Sequence, residues 1–120
     1  MEHANLAPEI VRQRLLIEGH YTVDVDEDVI RAFFAHITGR LDLRTYDVPV
    51  IFAPGGEGKQ DNEGYDAFVP LIDSGISLYV WSGPRFLSTV AFTCKAFEED
   101  VAVEATREFF AMSEVEHMSF

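Results

Sequence analysis

Positive charge is scarce in this chain. Lys plus Arg number 9 against 21 Asp plus Glu, a formal net charge of -12. Binding to a phosphate backbone needs clustered cations that release counterions, so nucleic acid is not an expected partner. An anionic membrane surface would repel the chain for the same reason. Cysteine is nearly missing too. Cys94 stands alone, cannot form an internal disulfide, and makes no demand for an oxidising compartment. No apolar run approaches the roughly 20 residues that span a bilayer. Met1 to Pro8 lacks a basic segment followed by an apolar core, so no signal peptide is expected and the location is expected to be cytoplasmic.

What is present is the composition of a globular protein. Of 120 residues, 48% are hydrophobic and 25% charged. This length suits one domain over 1–120, with a core large enough to need no staples.

Hydrophobic periodicity predicts the elements. Arg12 to Tyr21, with Leu15, Leu16 and Ile17, reads as a first strand. Asp24, Asp26, Glu27 and Asp28 then suit the positive end of a helix dipole, and Val29, Ile30, Phe33, Phe34 and Ile37 recur at helical spacing. Gly39 is the expected stop of that helix. Val48 to Ala53 reads as a strand pushed to the sheet edge by Pro49. Pro54 to Gly64 is a loop, and Tyr65 to Ile72 resumes strand character. Asp73-Ser74-Gly75 is placed in a tight turn. Ile76, Leu78 and Val80 alternate with Ser77, Tyr79 and Trp81, and Phe86 to Lys95 forms another strand after the Ser82-Gly83-Pro84 turn. Glu98, Glu99 and Asp100 open a second helix with the stripe Ala102, Ala105, Phe109 and Met112. Val115 to Phe120 is short enough to add an edge strand. These elements predict an α+β two-layer sandwich, a mostly antiparallel sheet with two helices on one face.

Familiar catalytic patterns are missing. Gly55, Gly56, Gly58 and Lys59 do not make a phosphate cradle, because Ala53 and Gln60 occupy positions where a P-loop needs glycine and a hydroxyl. His3, His20, His36 and His117 show no metal-ligand spacing with Cys94 or one another. No serine sits in a nucleophile elbow.

Four segments do resemble a known family. They are Arg14-Leu15-Leu16-Ile17-Glu18, the stretch from Gly64 to Ser74, then Asp73-Ser74-Gly75-Ile76-Ser77-Leu78-Tyr79-Val80-Trp81, and Ala91-Phe92-Thr93-Cys94. Together they resemble the bacterial and archaeal S-adenosylmethionine decarboxylases, pyruvoyl enzymes of spermidine synthesis. There the last two segments read Glu-Ser-His, an alternating strand and His-Thr-Trp-Pro-Glu, then Phe-Thr-Cys-Gly, and the serine-to-tryptophan and serine-to-cysteine spacings agree without a gap. The resemblance implies that Ser74 is the precursor of a pyruvoyl group, Cys94 a proton donor and Trp81 part of a substrate pocket. It also implies a homodimer whose active sites draw on both subunits.

The departures are chemical. The family's helper histidine is Tyr79 here, a phenol with a reference pKa near 10 in place of an imidazole near 6.5, a handicap on the order of 4 kcal/mol for a general base at neutral pH. The glutamate before the serine is Asp73, the histidine after it is Gly75, and a processing serine eight positions upstream is Asp66. The expectation is therefore a divergent member that binds S-adenosylmethionine or a related amino compound and performs lyase-type chemistry with no pyruvoyl cofactor. Asp66, Asp73, Tyr79 and Cys94 supply the polar groups and Trp81 an aromatic face, with Ser74, Trp81 and Cys94 converging on one cleft. The alternatives are a self-processing decarboxylase with a pyruvoyl group at Ser74, and a non-catalytic paralogue that binds ligand or tunes an active subunit.

Overall fold

In the computed structural model, which describes residues 3–53 and 63–120, eight elements follow one another. They are β1 (Gln13–His20), α1 (Glu27–Arg40), β2 (Val50–Phe52), β3 (Gly64–Leu71), β4 (Ser74–Trp81), β5 (Phe86–Thr93), α2 (Glu99–Phe109) and β6 (Glu114–Ser119). The glycine-rich stretch 54–62 lies outside the described residues. All six strands form one antiparallel sheet in the order β2-β3-β4-β5-β1-β6. The expected α+β sandwich is the fold observed. No helix among the described residues is long and apolar enough to cross a membrane.

The helices form where the sequence starts them. Asp26 caps α1 by accepting a hydrogen bond from the Val29 N–H at 2.9 Å, satisfying one of the donors a helix start leaves free. The stripe Ile30, Phe33, Phe34 and Ile37 is buried, and Phe33 meets the rings of Phe109 and Phe110 at 5.6 and 4.7 Å. Helix α2 buries the small residues Ala102 and Ala105, which lets it lie close against its neighbours. Buried hydroxyls on both helices return to the backbone: Thr38 donates to Phe34 O and Thr106 to Ala102 O. Gly39 does not stop α1. The helix runs through it to Arg40, and the left-handed residue is Asp42, at φ 55.

Strand alternation divides the sheet into two unlike faces. Leu15, Ile17, Val69, Ile76, Leu78 and Leu87 are fully buried beneath the helices. Their in-between neighbours point the other way, where no element covers them among the described residues. Three glycines, Gly19, Gly64 and Gly75, mark close approaches. A Cβ at Gly19 would strike the backbone carbonyl of Glu114 on β6, and one at Gly75 would strike the Phe68 ring lying across it.

Pro70 survives inside β3 because of which side its nitrogen faces. In an extended residue the N and C=O share a side, and Pro70 O accepts from Tyr46 N–H at 2.8 Å. The missing donor therefore faces the 43–49 segment and leaves the β3–β4 ladder whole. The β3–β4 turn is displaced from its expected position: Leu71 pairs with Ser74, so Ile72 and Asp73 are the loop and Ser74 already begins β4.

Candidate functional site

The β3–β4 turn brings three of the expected site residues together. Ser74 pairs with Thr93 across β4 and β5. The Thr93 hydroxyl donates to Lys95 O at 2.6 Å, which bends the chain out of the ladder immediately after β5. Cys94 thereby swings beside the turn: its N–H donates to the Asp73 carbonyl at 2.8 Å, and its Sγ lies 4.0 Å from Asp73 Oδ1. Cys94 is exposed, while Asp73 and Ser74 are half-buried. Ser74 has φ 129, a left-handed conformation that strains a residue with a Cβ by about 1–3 kcal/mol. The arrangement offers a hydroxyl next to a hydrogen-bonded carbonyl, with a thiol proton aimed at a carboxylate.

Asp66, Tyr79 and Trp81 are not part of that cluster. Tyr79 stands five residues along β4 from Ser74 and Trp81 seven, roughly 17 and 23 Å at strand rise. The expected single cleft is thus two places, because residues on one continuous strand cannot converge. Asp66 pairs directly with Tyr79 on the uncovered face. Tyr79 in turn pairs with Ser88, and Ser88 with Glu18, where the serine hydroxyl donates to Glu18 Oε2 at 3.1 Å. One row further along, Trp81, Phe86, His20 and Glu114 lie side by side. Trp81 and His20 flank Phe86 at 5.6 and 5.4 Å, and His20 Nδ1 lies 2.8 Å from Glu114 Oε1. This end of the face is acidic and aromatic.

Glu18, His20, Phe86, Ser88 and Glu114 were not singled out together from the sequence. The alternation Arg14, Leu16, Glu18, His20 in β1 carries their shared face, but nothing local says that β6 lies beside β1. Behind Trp81, Tyr21 is 4% exposed. Burial pushes its phenol above the ordinary value, against the lowering effect of a Ser82 hydrogen bond and the Arg85 guanidinium. Arg85 sits over the Tyr21 ring at 5.4 Å and donates to Val23 O, anchoring the β4–β5 turn.

Surface grooves open elsewhere. One of about 710 Å³ runs between α1 and the 43–49 segment, and one of about 340 Å³ is lined by Ala53, Glu63, Gly64, Tyr65 and Ser82. Among the described residues no group of three or more His, Cys, Asp or Glu side chains is placed to hold a metal ion.

No family model matches the chain, and no curated protein matches it in sequence. A solved structure does: the adenosylmethionine decarboxylase from Aquifex aeolicus VF5 superposes with a TM-score of 0.72 over 92% of this chain and 89% of that one, at 16% identity. The chain therefore has the fold of an adenosylmethionine decarboxylase.

Proposed function

We propose that the chain binds S-adenosylmethionine or a related amino compound and acts on it by lyase-type chemistry without a pyruvoyl group. The supporting observation is the acidic and aromatic end of the uncovered sheet face, on a scaffold shared with an adenosylmethionine decarboxylase. Trp81, Phe86 and Tyr79 offer ring faces to an adenine or a sulfonium cation. Asp66 and Glu18 offer carboxylates to an amine. A sulfonium carbon is already activated, so a positioned carboxylate or phenol suffices to assist elimination or cyclisation there.

Two copies complete this site in the proposal. The Asp66–Tyr79 pair and the Asp73–Ser74–Cys94 cluster are too far apart within one chain to share a small substrate. The uncovered face spans roughly 700 Å², taking six strands about 4.8 Å apart and about 3.3 Å per residue, close to the ~800 Å² that each partner of a stable complex buries. Val50, Phe52, Phe68, Phe92 and Met118 lie on it, each more than 40% exposed. Pairing face to face would cover this apolar surface, while Ser74, opposite the buried Thr93, stays on the helix side of the sheet.

Calorimetric titration with S-adenosylmethionine tests the reading. Binding is expected, weakened about tenfold or more by Trp81→Ala, the scale of one lost cation–π contact of ~1–2 kcal/mol. No heat at millimolar ligand would end it. If ligand binds but is recovered intact beyond its spontaneous decay, the non-catalytic reading takes its place.

A second reading rests on the Cys94 N–H bonded to the Asp73 carbonyl. Attack by the Ser74 hydroxyl on that carbonyl would put negative charge on the oxygen this N–H already contacts, the placement that stabilises an oxyanion. The amide would become an ester, and elimination would release the fragment 1–73 and leave a pyruvoyl precursor at 74. A pyruvoyl group there would supply an electron sink for decarboxylation. Intact mass separates the two readings: fragments 1–73 and 74–120 establish self-processing, and a single uncut mass eliminates it.

A further inference from the structure

The uncovered face is divided along the strands into halves of opposite character. Toward the β3–β4 turn run Phe68, Ser77, Val90, Leu16 and Met118, one per strand from β3 to β6, with Gly75 and Phe92 beyond them. Toward Trp81 run Asp66, Tyr79, Ser88, Glu18 and Glu116, then Glu114. Glu18 and Glu116 stand directly opposite each other on adjacent strands, a like-charge pair that destabilises a sheet and draws no benefit from burial.

We infer that this acidic half is an electrostatic brake on the face-to-face pairing proposed above, so that two copies associate in a pH- and salt-dependent way. The inference rests on that pairing. The titratable and charged groups facing the contact are Asp66 from β3, Tyr79 from β4, Arg14, Glu18 and His20 from β1, and Glu114 and Glu116 from β6; β2 and β5 contribute none. Four carboxylates therefore oppose one arginine, which sits at the apolar end over the Phe120 ring, and one histidine already paired with Glu114. Bringing two such faces together raises the free energy of the ionised carboxylates. The paired state then binds more protons than the separate copies, and pairing tightens as pH falls. Salt acts in the same direction: most charged contacts weaken when screened, whereas a repulsion between faces is relieved.

Sedimentation equilibrium on the full chain tests the brake. The dissociation constant is expected to fall about tenfold or more from about pH 7.5 to about pH 5.5, and to fall again when salt rises from about 0.05 to about 0.5 M at the higher pH. The double variant Glu18→Gln, Glu116→Gln is expected to pair tightly already at the higher pH, with a flattened profile. A dimer whose dissociation constant is indifferent to pH and salt, or a double variant that keeps the full pH dependence, overturns the brake and leaves the pairing standing. A monomer under every condition, the double variant included, overturns the pairing itself.

Discussion

The two faces of the single sheet use the same strands for opposite ends. On the covered face, Ile76, Leu78 and Leu87 have no exposed surface, and Val69 beside them is likewise closed off. On the other, Phe68 and Phe92 remain 44% and 41% exposed although they stand on those same strands. Burial alone separates them, so the first set holds the fold and the second is free to serve contact and chemistry.

The largest expected difference comes from truncating one side chain on each face. Leu78→Ala should cost about 2–5 kcal/mol in urea unfolding, the usual range for a closed core site. Val90→Ala, on the uncovered face, should cost under ~1 kcal/mol at concentrations where the chain is monomeric. Equal losses would mean that the second face is covered in solution by something tighter than the proposed pairing.

Glycine substitutions sharpen the comparison. Gly19→Ala places a methyl group against the Glu114 carbonyl, and backbone in a ladder yields only by breaking register, so a loss of about 3 kcal/mol is expected. Gly75→Ala meets the Phe68 ring instead. That ring lies on the open face and has solvent to turn into, so about 1 kcal/mol suffices. Thermal melts of the two variants check the order.

The smallest effect is at Tyr21, at the rim between the faces. Its folded value is raised by burial, so its contribution is intact below the unfolded phenol value near 10 and is lost as pH rises through the folded value. Absorbance titration at alkaline pH should show one tyrosine ionising late, coincident with loss of stability. Four tyrosines ionising together would contradict this.

Much of the faces was legible from alternation alone. Ile76, Leu78 and Val80 are buried, and Ser77, Tyr79 and Trp81 point away, as period two requires. Alternation assigns a residue to a face and says nothing of its neighbour across the sheet. That β1 lies between β5 and β6 depends on contacts distant in the chain, so the row Trp81, Phe86, His20, Glu114 was invisible to spacing. The same limit explains the divided site. Spacing alone did not bring Ser74 and Cys94 together; direct β4–β5 pairing does, at the open end of that hairpin beside the β3–β4 turn. Trp81 is carried off along β4 by the strand's own rise. The turn itself is displaced to Ile72 and Asp73, and Ser74 beside it adopts a backbone conformation usually left to glycine, of which composition gave no sign.

The rims of the sheet decide how large an assembly can grow. Strand β2 is only three residues long and follows Pro49, while β6 presents Glu114, Glu116 and His117 along its length, devices that discourage a further strand from joining. Among the described residues, margins so guarded and one broad open side leave a single valence. Under the proposed pairing, stacking through it would end when that side is used, and the assembly would stop at a pair rather than propagate into fibres.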